Sequence, residues 1–203
     1  MMKLHHSPTS PFVRKVMMVA IEAGVADRVE TLPTDAWASK PDHLAHNPLS
    51  KVPALVLEDD TCLYDSPVIC EYLDSLNRGV HLFPAMGPAR WTALRQMALA
   101  DGMCDAAVLR LKESMRSEGE RSPSWIERQK AAVARAVEAL EAEADGLAAA
   151  QPTIGTLAIM AALGYLDLRY KAEDWRQGHP KLLAWFDRAS DRDSFRLTAP
   201  VSG

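Results

Sequence analysis

Between Arg78 and Arg90 the chain changes character. This stretch holds Gly79, Pro84, Gly87 and Pro88 and few periodic apolar positions, the composition of a connection rather than a packed element. Before it, short strand-like runs alternate with helix-like runs; after it, only helical periodicity is found. A chain of 203 residues, 48% of them apolar, is long enough to bury a real core. The reading is an α/β or α+β layer over 1–78, a linker over 79–90 and an all-helical unit over 91–203.

Within the first part, Lys3 to His6 is a candidate strand. Pro11 to Ala23 is a candidate helix, because Phe12, Val16, Val19 and Ala23 step along one face. Ser10 is a natural N-cap for it, Pro11 suits the first helical position, and Gly24 suits the left-handed position that ends it. Val29 to Leu32 is a second strand, and Ser39 to His46 a short, irregular helix. Ala54 to Leu57 and Thr61 to Tyr64 flank the acidic turn Glu58-Asp59-Asp60, so they read as a hairpin. Ser66-Pro67 then opens a helix to about Leu76 in the same way as Ser10-Pro11.

In the second part, helices are expected from Trp91 to about Arg116 and, after the break SEGERSPS, from the Ser122-Pro123 cap to about Ala149. A helix opening at Thr153 is apolar nearly all round and should be the buried central one. A last helix starts near Pro180.

The charge balance is −4, which invites neither nucleic acid nor an anionic membrane. No apolar run approaches the roughly 20 residues that span a bilayer, and MMKLHHSP lacks the apolar core of a signal peptide. Cys62, Cys70 and Cys104 are odd in number and form no CxxC, which argues against a disulfide framework or a zinc site. His5 and His6 have no metal partner at a sensible spacing and read as strand residues. A reducing, cytoplasmic setting is expected.

Four stretches, in order, carry a resemblance to a known family: SPFVRKV, NPLSKVPAL, YDSPVICEYL, and LGYLDLRY followed by HPKLLAWFDRASDRDSFRLTAP. Together they resemble the cytosolic glutathione S-transferase superfamily along nearly the whole chain, nearest to a bacterial subgroup with a serine at the strand-to-helix turn. The resemblance implies a thioredoxin-like N-terminal domain, an all-helical C-terminal domain and a homodimer. It also implies glutathione as co-substrate, no metal, and transfer of the glutathione thiol to an apolar electrophile.

On that resemblance each site residue has two readings. Ser10 is either only an N-cap or also the hydroxyl that holds the glutathione sulfur as a thiolate; Thr9 and Ser7 are its rivals. A free thiol titrates near about 8.5, so little is ionised at neutral pH. A hydrogen bond to the charged sulfur is worth roughly 1.5–3 kcal/mol, or about one to two pKa units. The positive end of the helix behind Pro11 acts in the same direction. In classes with cysteine at this position the protein forms mixed disulfides; Ser10 removes that route. Phe12, one turn in, is either a core residue or a ligand contact.

Val52-Pro53 resembles the family's cis-proline segment, which would turn the Val52 backbone toward the cysteinyl part of glutathione. Lys51 is either a solvated lysine or a partner for the glycine carboxylate, with Lys40 and His43 weaker candidates of the same kind. Asp65 and Ser66 are either a helix cap or the seat of the γ-glutamyl group, the acid for its ammonium and the helix terminus for its carboxylate. Met103, Cys104 and Ala107 are either core or electrophile pocket. Cys62 and Cys70 are expected inside. Thr156 replaces the aspartate that usually closes a capping box with Thr153, which puts some stability of that helix in question. Two rival functions stand beside conjugation: a non-catalytic glutathione- or protein-binding member, and a glutathione-dependent peroxidase.

Overall fold

The computed structural model describes residues 1–77, 79, 81–147 and 151–200. The expected domain boundary at Arg78, Val80 of the expected linker and the expected helix end near Ala149 lie outside these residues.

The first half is a four-stranded sheet with three helices. β1 (Met2–His6), α1 (Pro11–Glu22), β2 (Val29–Pro33), α2 (Pro41–His46), β3 (Ala54–Val56), β4 (Cys62–Leu63) and α3 (Ser66–Ser75) follow one another. Strand order is β2-β1-β3-β4; β1 pairs parallel with β2 and antiparallel with β3, and β3 pairs antiparallel with β4. Register is set by burial, since Met2 and Leu4 enter the core while Lys3 stays outside. α1 packs against α3 and reaches the helix Ile154–Arg169 of the second half.

The second half is helical: α4 (Gly87–Ser114), α5 (Pro123–Glu143), α6 (Ile154–Arg169), α7 (Pro180–Ser190) and α8 (Asp193–Leu197). α4 begins at Gly87, four residues before the expected Trp91, because Pro88 is tolerated in a first helical turn. α5 is shorter than expected and passes into a 3-10 turn at Ala144–Gly146. α6 is the central helix, with every residue from Ile154 to Leu166 buried. Its capping box is complete: the Thr153 N–H donates to Thr156 Oγ1 at 2.8 Å and the Thr156 N–H to Thr153 Oγ1 at 3.3 Å. A threonine hydroxyl thus replaces the family's aspartate as acceptor, and the doubt about this helix's start is removed.

Candidate functional site

Strand direction gathers the site. With β1 and β2 parallel and β3 and β4 antiparallel to their neighbours, the ends of β1, β2 and β4 and the start of β3 open at one edge of the sheet. Four connections therefore converge there, carrying Ser7 to Ser10, Thr34 to Lys40, Lys51 to Pro53, and Tyr64 to Ser66.

Ser10 is the N-cap of α1, with extended backbone angles, and its Oγ accepts from the Val13 N–H at 3.3 Å. A hydroxyl used as an acceptor keeps its own hydrogen for donation. Ser10 is half-buried, as are Thr9 and Ser7. Lys51 is exposed, but its carbonyl is held twice, by His43 Nε2 at 3.1 Å and Asn47 Nδ2 at 2.8 Å. The next peptide bond, Val52-Pro53, is cis, and among the described residues the Val52 main chain makes no hydrogen bond. At the fourth connection Tyr64-Asp65 is also cis.

The N-cap of α3 is Asp65, not Ser66 as the Ser-Pro pattern predicted. A proline fits anywhere in a first helical turn, so Ser66 has moved inside the helix while Ser10 stays outside α1. The displaced register has a chemical effect. Asp65 is exposed and makes no capping bond through its side chain, while Ser66 is buried at the helix terminus.

The floor of this edge comes from α4. Lys15 of α1 is 1% exposed, and its Nζ donates to both Asp101 carboxylate oxygens, at 2.7 and 2.6 Å. Burial pushes the Asp101 carboxyl up, and Lys15 pulls it back. One turn on, burial raises Asp105 as well, opposed by Lys51. The Asp65 carboxylate pushes both acids up further, as a like charge does. Beside Ser10 a cavity of about 10 Å³ is lined by Thr9, Pro11, Arg14, Ala161, Tyr165 and Pro200. Burial lifts the Tyr165 phenol to about 12, so it stays protonated and able to donate at neutral pH. A roomier cavity, about 360 Å³, lies between α4, α5, α6 and the segment before α7 and shares none of these residues.

Two family descriptions match this sequence: "Glutathione S-transferase, N-terminal domain" over residues 9–76 and "Glutathione S-transferase, C-terminal domain" over residues 123–188. The uncharacterized GST-like protein YibF of Escherichia coli (strain K12) is 35% identical over 98% of each chain. The chain belongs to the glutathione S-transferase family. A glutathione transferase family member from Pseudomonas fluorescens Pf-5, solved with bound glutathione, is 40% identical over 100% of both chains with a TM-score of 0.94. A glutathione S-transferase from Methylobacillus flagellatus, solved with glutathione bound, is 37% identical over 99% of this chain and 100% of the other, with a TM-score of 0.92.

The structure brings Ser10, Lys51, Val52, Pro53, Asp65 and Ser66 to one sheet edge. Phe12 is half-buried against the core, and His43 is buried and spent on the Lys51 carbonyl. Met103, Cys104 and Ala107 are buried in the hydrophobic core. Cys70 is buried as expected, but Cys62 is only half-buried, because the two-residue β4 lies at the sheet's margin. Sequence reasoning missed the Lys15–Asp101 pair and Tyr165. For the first there was a signal: an aspartate on the apolar stripe of α4, which needs a cation or hydrogen-bond donors beside it. Among the described residues, no helix is long and apolar enough to cross a membrane.

Proposed function

We propose that the chain binds glutathione at the open sheet edge and activates its sulfur for transfer to an apolar electrophile. The carrying observation is convergence. A hydroxyl at a helix N-terminus, an unpaired main chain at Val52 and an acid beside a helix terminus meet at one edge, and a similar protein matched over its full length was solved with bound glutathione. In this reading Val52 pairs with the cysteinyl backbone, Asp65 with the ammonium and the α3 terminus with the γ-glutamyl carboxylate. Lys51 meets the glycine carboxylate, and Ser10 donates to the sulfur.

Calorimetric titration with glutathione tests the binding step. The expected result is one site per chain with micromolar to millimolar affinity; absence of binding would remove the proposal. A second reading, binding without turnover, is supported by the burial of Met103, Cys104 and Ala107, which leaves that face of α4 closed. Glutathione binding with no conjugation across a panel of activated aryl halides and epoxides would favour it.

A further inference from the structure

Three imidazoles meet behind the Lys51–Pro53 turn. His5 of β1 lies with its ring centroid 4.8 Å from that of His43 and 5.1 Å from that of His46, both on α2. His5 Nδ1 is 2.8 Å from Thr34 Oγ1, and His5 Nε2 is 2.9 Å from His46 Nδ1. Neighbouring atoms fix the protons. The Thr34 hydroxyl donates to the Leu32 carbonyl at 2.9 Å, so its oxygen accepts from the His5 Nδ1–H. His5 Nε2 is then the acceptor, and the His46 Nδ1–H the donor. His43 Nε2–H donates to the Lys51 carbonyl, leaving His43 Nδ1 buried with no partner. In this arrangement each of the three contacts has one donor and one acceptor. A further proton on His5 would set two N–H groups against each other, and one on His43 Nδ1 would be buried without an acceptor.

The groups facing the cluster are few. β1 contributes His5, α2 contributes His43 and His46, the end of β2 contributes Thr34, and the run into β3 contributes the Lys51 carbonyl. The charges acting on His5 are those of the other two imidazoles, with no carboxylate to offset them. Lys40 and Asp42 are exposed at the start of α2, and His6 points to the other side of the strand. The cluster is not placed to hold a metal ion.

We propose that His5, His43 and His46 form an acid-sensitive clamp that positions the Lys51–Val52 main chain for glutathione, and that protonation loosens it. The inference rests on the proposed glutathione site. Burial, then His43 and His46, hold His5 down at about 4 from an ordinary 6.5. The unfolded chain therefore takes up this proton first as pH falls through that window, and acid weakens the clamp rather than tightening it.

The test uses S-methylglutathione, whose lack of a thiol removes thiolate titration from the readout. Its affinity is measured by calorimetry at about pH 7.5 and about pH 5.5, across the range where histidines change charge. The wild-type protein should lose about fivefold or more in affinity on acidification. The variant H5Q/H43Q/H46Q, whose amides can donate and accept without titrating, should lose little. Equal wild-type affinity at both pH values, or an equal loss in the variant, overturns the clamp. Hydrogen exchange on unliganded wild-type protein supplies a separate reading. Protection of the Leu44 and Asn47 amides of α2 should fall with acidification; constant protection also overturns the clamp. If the ligand binds at neither pH while α2 protection falls, the glutathione reading fails and the acid-sensitive cluster stands.

Discussion

Gly155 shows how little room single residues have here. A Cβ on it would lie 2.7 Å from the Ala93 carbonyl oxygen and 2.7 Å from Gln96 Cβ, so α4 and α6 touch across a bare backbone. Gly164 makes the same kind of space for Arg14, whose guanidinium would stand against an added Cβ and instead caps the Phe195 ring at 3.9 Å. Burial lowers that guanidinium to about 10, yet it stays charged at neutral pH and donates to the Phe195 carbonyl at 3.0 Å. Gly102 is the contrast: it sits exposed within α4 with nothing near its missing Cβ. Gly155→Ala should therefore destabilise by about 1–3 kcal/mol through overpacking, and Gly102→Ala should stabilise by about 0.4–1 kcal/mol through the unfolded chain. Urea unfolding of both variants checks the pair; shifts of the same sign would refute this packing of α4 on α6.

At the scale of elements, legibility followed local physics. The start of α1 was readable because Ser10, Pro11 and Gly24 each have one favoured place in a helix, and Gly24 does take a φ of +68°. The hairpin of β3 and β4 was readable from its acidic turn. What could not be read is what depends on partners distant in sequence. The linker before α4 is one case, tied down by Asp74, which accepts from the Leu82 N–H at 2.7 Å and the Phe83 N–H at 3.2 Å. The one-residue shift at Ser66 has the same origin, since Ser-Pro fits a helix start in two registers and only the packing of α3 chooses between them. The same limit applies to the site. Its loop residues were legible as motifs, whereas the α4 acids, Tyr165 and the histidine cluster come together only through the fold.

Across the whole molecule, buried polar links make the two halves one frame. Lys15–Asp101 ties α1 to α4, Asp74 ties α3 to the linker, and the Leu82 carbonyl accepts from the Ile154 N–H at 2.9 Å. Outside that frame, Val68 on α3 and Met86 and Trp91 at the start of α4 are exposed apolar side chains, and the Glu71–Arg90 ion pair joins the two elements. We propose that a second copy covers them. Sedimentation should give twice the 22.3 kDa chain mass, and Trp91→Glu should return it to one; a monomeric wild-type protein rejects the pairing. The frame's purpose, in this account, is to aim the Ser10 hydroxyl at a sulfur. Glycine at an N-cap costs only a few tenths of a kcal/mol relative to serine, so Ser10→Gly removes the hydroxyl and leaves the fold in place. The decisive measurement is the pH titration of ultraviolet thiolate absorbance for glutathione bound to each protein. The wild-type complex should ionise about one to two units below a free thiol, and Ser10→Gly should lose most of that shift. Matching titrations in the two complexes would contradict it.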